Sequence, residues 1–185
     1  MESIVVTIFP VLFLIVLFGG GALFQRKNID MDGEPPINRS VFYTSKYSIV
    51  IIWGAMVAHS WGVNLALFKI PGLVKGISLV LWVLGFLFLL WGRFEMGNSF
   101  RLGSPKETIT LKSKGLFRIS RNPMYVGVFL TLLGATIHTL NPIVFLIVIF
   151  IIAVHHKIVL AEEQFLQKSF GQVYSDYCQR VRRYL

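Results

Sequence analysis

The chain has 185 residues, of which 55% are hydrophobic, with a mean hydropathy of +0.67 and a formal net charge of +9. That hydropathy excludes an ordinary soluble domain, and the length favours one domain. A lone cysteine, Cys178, excludes an internal disulfide or a CxxC metal pair. The positive charge would suit nucleic acid, but the basic residues sit along one side of a series of apolar runs, where membrane topology alone requires them.

The first run, "IVVTIFPVLFLIVLFGGGALF" (Ile4 to Phe24), has the length of a membrane span. It lacks a basic leader and a small-residue cleavage site, so it reads as a retained span rather than a signal peptide. Its "FGGGALF" (Phe18 to Phe24) does not match a dinucleotide loop and suggests glycine-based helix packing. The second span is expected from about Tyr47 to Phe68 and the third from about Gly72 to Phe94, separated by the break "KIPG" (Lys69 to Gly72). The fourth is expected from about Met124 to Leu140. The fifth, "IVFLIVIFIIAVHH" (Ile143 to His156), follows the dipeptide Asn141-Pro142 so closely that the two must form an antiparallel hairpin. His59 and Asn64 in span two and His138 in span four could line a cavity or bond between helices. His155 and His156, being adjacent, cannot share a helix face as metal ligands.

Of the 18 basic residues, four lie between spans one and two (Arg26, Lys27, Arg39, Lys46), seven between spans three and four (Arg93, Arg101, Lys106, Lys112, Lys114, Arg118, Arg121) and five after span five (Lys157, Lys168, Arg180, Arg182, Arg183). Only Lys69 and Lys75 fall on the other side. The bias predicts an outside N-terminus and a cytoplasmic C-terminus. The fold class expected is all-α: a polytopic membrane bundle of about five transmembrane helices, with a cytoplasmic amphipathic helix at the C-terminus.

Two polar segments are too patterned to be plain connectors. "GNSFRLGSPKETITLKSKGLFRISRNP" (Gly97 to Pro123) interleaves apolar residues Ile109, Leu111, Leu116, Phe117 and Ile119, which argues for order. Within it, Arg118 and Arg121 could hold a carboxylate or phosphate by bidentate hydrogen bonds, and Pro123 suits a first helical position. The second segment runs from Lys157 to Leu185. Leu166, Phe170, Val173, Tyr177, Val181 and Tyr184 recur at helical spacing, with a bend plausible at Gly171 and Arg180, Arg182 and Arg183 facing an anionic leaflet. Glu162 and Glu163, so near the hydrocarbon, need a partner: a salt bridge to Lys157 or a loop arginine, or a cationic or hydroxyl-rich ligand.

The ordered set "LKSKGLFRISRNPMYVG", a hairpin carrying "NP", and "EEQFLQKSFGQVYSDYCQRVRR" resembles the isoprenylcysteine carboxyl methyltransferase family and the related phospholipid methyltransferases, over about Arg93 to Arg183. One membrane domain over 1–185 is expected, with N-terminal spans in 1–92, and the resemblance implies a methyltransferase-like region in 93–185. It implies S-adenosylmethionine as cofactor, held by Ile109, Thr110, Leu111, Lys112, Phe117, Asn122, Pro123, Met124, Tyr125 and Glu162. It further implies catalytic roles for Arg121, Glu163 and Lys157, and a lipid-like or prenylated cysteine carboxylate as acceptor, met among membrane lipids. Two positions depart from the family pattern: Asn122 stands where a His is usual, and Ile158 where a basic residue is expected, with Lys157 beside it. A carboxylate acceptor is already ionised at neutral pH and needs no base. An amine acceptor must lose a proton, which Glu163 or a His could take. Rival readings are a phospholipid N-methyltransferase, an NADPH-dependent sterol-type reductase and a non-enzymatic membrane scaffold.

Overall fold

A computed structural model describes residues 1–25, 34–97 and 110–185. It is a helical bundle, with no strand among the described residues: α1 (Glu2–Gln25), α2 (Arg39–Ser60), α3 (Gly72–Met96), a 3₁₀ turn (Gly115–Arg118), α4 (Pro123–Thr139), α5 (Pro142–Phe170) and α6 (Gln172–Arg180). Four of these, α1, α2, α3 and α5, are long and apolar enough to cross a membrane. The expected fourth span, α4, has 17 residues, the short limit for a crossing. It is also the most enclosed helix, with Val126, Gly127, Thr131, Leu132, Gly134, Ala135 and His138 all buried. The shortfall in length thus falls on the helix at the centre of the bundle.

Small residues put α4 there. A Cβ added at Gly85 would lie 2.8 Å from the carbonyl oxygen of Gly127, and one added at Gly127 would lie 2.7 Å from that of Gly85. Gly134 meets the Ser78 carbonyl oxygen at 2.9 Å in the same way, and Gly92 meets Met124 Cγ at 2.6 Å. Ser78, Gly85 and Gly92 are seven apart on α3, as are Gly127 and Gly134 on α4, so both helices present a small-residue seam to each other, antiparallel and backbone against backbone. The glycine packing expected in α1 is not found at Gly19, which has nothing within 4 Å.

Aromatic side chains fill the space between α1, α2 and α3. Phe86 lies 4.8 Å from Trp53 and 5.0 Å from Trp82 between ring centroids. Pro10, inside α1, has no N–H for the Val6 carbonyl, and Trp82 Nε1 donates to that carbonyl at 3.1 Å instead. Trp53 Nε1 donates to Thr131 Oγ1 at 2.9 Å, tying α2 to α4.

Two expected boundaries move. Span two begins at Arg39 and ends at Ser60, eight residues earlier at both ends than hydropathy suggests. Asn38 caps its start, accepting from Ser40 and Val41 N–H. Its end is fixed by Gly62, at φ +103, and by His59 Nδ1, which accepts from Leu65 N–H at 3.1 Å. Asn64 therefore lies outside the helix and is exposed. The hairpin is as expected: Leu140 and Asn141 alone link α4 to α5, and Asn141 Oδ1 caps α5 with Pro142 at its first position. α5 then continues past His156 to Phe170, about 43 Å in all, so its last turns project beyond a hydrocarbon core of about 30 Å.

The expected single C-terminal stripe does not form. The chain turns at Gly171 (φ +51), α6 ends at Arg180, and Tyr174 and Tyr177 are buried while Val173 is 62% exposed. At the opposite end of the bundle, His138 is fully buried, hydrogen-bonded to Ser78 Oγ at 2.9 Å and 3.3 Å from Glu2, which pairs with Lys75. His138 thus joins helices rather than lining a cavity.

Candidate active site

The site is assembled by the segment that leads into α4. Gly115 (φ +60) places the next N–H against Glu95 at the end of α3; Leu116 N–H donates to both carboxylate oxygens, at 2.9 and 3.2 Å. A side chain at Gly115 would collide with that carboxylate, so the turn needs glycine twice over. Leu116 and Phe117 then turn inward, and Tyr177 Oη donates to the Phe117 carbonyl at 2.6 Å. Burial pushes the Tyr177 hydroxyl up to about 12, which keeps it a donor.

Beyond the turn, the "SRN" residues meet the C-terminal tail. Arg121 N–H donates to the Arg182 carbonyl at 2.9 Å, and Ser120 Oγ to that of Arg183 at 3.2 Å. The Arg121 guanidinium grips Glu163 by Nε (3.1 Å) and Nη2 (3.3 Å), while Nη1 donates to the carbonyls of Cys178 and Val181 at 3.2 Å. Burial alone would lower the Arg121 pKa; the hydrogen bond and charge of Glu163 outweigh it and hold the group above its ordinary value. Glu163, 8% exposed, also accepts from Asn122 Nδ2 at 3.0 Å and Arg183 Nε at 2.9 Å. The expected arginine partner of Glu163 is therefore found, and it is Arg121. Arg183 belongs here too, not on the leaflet.

The neighbouring carboxylate faces about 100° away round α5. Glu162 is half-buried and accepts from Tyr125 Oη at 2.9 Å. The Tyr125 ring lies 6.0 Å from that of His155, one stripe along α5, and packs beside Phe42, Val154 and Ile158. His155 Nδ1 lies 2.9 Å from the Ile151 carbonyl and must be its donor, which leaves Nε2 with the lone pair.

The expected site residues thus divide. Arg121, Asn122 and Glu163 form one cluster, Tyr125 and Glu162 the other. Pro123 is the first residue of α4 and is buried, and Met124 packs over Gly92. Phe117 is buried, Thr110 exposed, Leu111 and Lys112 half-buried, and Ile109 lies outside the described residues. So do Arg26, Lys27, Arg101 and Lys106. Arg118 and Lys157 are exposed, and neither takes part in the carboxylates' hydrogen bonds among the described residues. Ser120, Tyr177, Glu95 and the tail carbonyls were not foreseen from sequence.

A comparison with curated proteins gives no match. Residues 73–173 match the phospholipid methyltransferase family, more than half of the chain. The match opens in α3, some twenty residues before the resemblance seen in the motifs, and spans the glycine seam, the turn, α4 and α5, stopping short of the tail. It covers both carboxylates and the helix that aligns them, and the chain accordingly belongs to the phospholipid methyltransferase family, as an integral membrane protein.

Proposed function

We propose that this protein transfers a methyl group from S-adenosylmethionine to a lipid-borne acceptor. The observation that carries the reading is the Tyr125–Glu162 hydrogen bond, which lies within the family match. A carboxylate offers about four lone-pair sites, so Glu162 has capacity for ligand donors. That chemistry fits the cofactor: a carboxylate takes up ribose hydroxyls or an amino group, and with an aromatic ring beside it suits a sulfonium cation. Tyr125, Glu162 and Asn122 would hold it, with Thr110, Leu111, Lys112, Phe117, Pro123 and Met124 as the further positions that the resemblance implies. When bound, the cofactor supplies an electrophilic methyl group on sulfur.

The chain's own residues align the reactants and exclude water, and alignment can be worth about 7–11 kcal/mol. Arg121 and Glu163 act as positioning residues: spent on each other and on the tail, they hold Asn122 and the start of α4. An acceptor amine has to shed a proton before it attacks. Glu162, or His155 on the same stripe of α5, whose ring lies 6.0 Å from that of Tyr125, would take it. This favours a lipid amine over a prenylated cysteine carboxylate, which needs no base, and the family match supports the same choice. The distribution of basic residues supports a cytoplasmic site and C-terminus, with the N-terminus outside.

The test is calorimetric titration of detergent-purified protein with S-adenosylhomocysteine and, separately, NADPH, followed by transfer of labelled methyl to phosphatidylethanolamine or a prenylated cysteine. Micromolar binding of S-adenosylhomocysteine alone, with label on the amine lipid, is expected. Binding of NADPH alone would establish a reductase instead, and binding of neither by folded protein a scaffold.

A further inference from the structure

A lateral groove of about 630 Å³ runs between α4 and α5, within the range of small-molecule sites. Val126, Phe129 and Leu130 line one side and Ile149, Ile152 and Ala153 the other. One end is closed by the tail: Tyr184 Oη is hydrogen-bonded to His156 Nδ1 at 2.8 Å, and its ring lies 5.5 Å from that of Phe129. The groove belongs to the His156–Glu163 stripe of α5, whereas Tyr125, His155 and Glu162 occupy the next stripe.

The rim at the closed end is cationic. Lys157 stands one helical turn beyond Ala153 and is exposed, as is Arg182, two residues before Tyr184. The nearby carboxylate of Glu163 is already matched by Arg121 and Arg183. An apolar channel open to the side, ending in a hydroxyl, an imidazole and exposed cations, is complementary to an acyl chain with an anionic head.

We propose that this groove binds an anionic glycerophospholipid of the surrounding leaflet, chain against α4 and α5 and phosphate at Lys157, Arg182 and Tyr184. The lipid is held there rather than methylated, because the Tyr125–Glu162 face points elsewhere. By packing against Tyr184 it braces the tail that grips Arg121 and Asn122.

Delipidated protein in a neutral maltoside detergent, titrated with dioleoylphosphatidylglycerol or dioleoylphosphatidylcholine in mixed micelles, tests this by native mass spectrometry and thermal unfolding. The anionic lipid is expected to be retained and to raise the unfolding midpoint, the zwitterionic one far less. Lys157→Gln should cut the preference about fivefold, and Ala153→Phe, which fills the groove, should abolish retention. Equal retention of both lipids by the native chain, or retention unchanged in the variants, overturns the proposal. If Ala153→Phe fails to fold, the exposed Lys157→Gln decides alone. S-adenosylhomocysteine binding in the same samples is a separate readout, so a failed methyltransferase assignment leaves the lipid result standing.

Discussion

On α5, one carboxylate is held by the motif loop and the tail, and its neighbour faces a different side of the helix. Glu163 accepts from Arg121, Asn122 and Arg183 and is 8% exposed. Glu162, one residue earlier, has Tyr125 and is half-buried. Two identical side chains thus take on different work because one angular step on a helix changes the elements they meet. Glu163 ties the motif loop to the tail; Glu162, with the Lys46 charge nearby, is the carboxylate proposed to meet the cofactor.

Removing Glu163 should separate the two most sharply. Glu163→Ala leaves two guanidinium groups without their counter-charge, and loss of one partner from a buried pair costs about 3–5 kcal/mol. Denaturant titration in mixed micelles should show that loss of stability, and an unchanged midpoint would remove the organising role. Glu162→Gln should do the converse. Its fold should hold, while S-adenosylhomocysteine affinity falls about 10- to 100-fold, as for losing hydrogen bonds to a charged group. A drop in stability without a drop in affinity would reverse the assignment of the two carboxylates.

The smallest effect belongs to Tyr177, on the Glu163 side. Burial raises its pKa to about 12, against about 10 in an unfolded chain. The neutral hydroxyl's contribution is therefore complete below pH of about 10 and is lost as the pH rises to about 12. Tyr177→Phe should cost about 1 kcal/mol at neutral pH and flatten that alkaline limb. A limb of unchanged slope in the variant would assign the titration to another group.

Much of this frame could be read from the chain. Hydropathy located the apolar runs, Asn141-Pro142 located the hairpin, Pro123 the start of α4, and Gly171 a break. What hydropathy misreads is the start of α2, since a cap by Asn38 extends a helix through polar residues that no apolar window includes. The heptad spacing of Ser78, Gly85 and Gly92 is present in the chain but carries meaning only opposite Met124, Gly127 and Gly134, more than thirty positions away. The same holds for the tail. Arg182 and Arg183 read as leaflet-facing, yet their carbonyls meet the motif loop and Arg183 also pairs with Glu163; a backbone acceptor leaves no mark in residue type.

The α3–α4 seam decides which parts of the molecule can move. Sliding between packed helices relies on side chains that exchange rotamers across the interface, and here the carbonyls of Gly85 and Gly127 stand where such side chains would be. The pair is therefore expected to resist sliding and to behave as one body. Its neighbours meet this body through side chains: Trp82 reaches the Val6 carbonyl of α1, and Trp53 of α2 donates to Thr131. Any rearrangement of α1 or α2 is therefore expected at these contacts, with the glycine seam as the fixed frame.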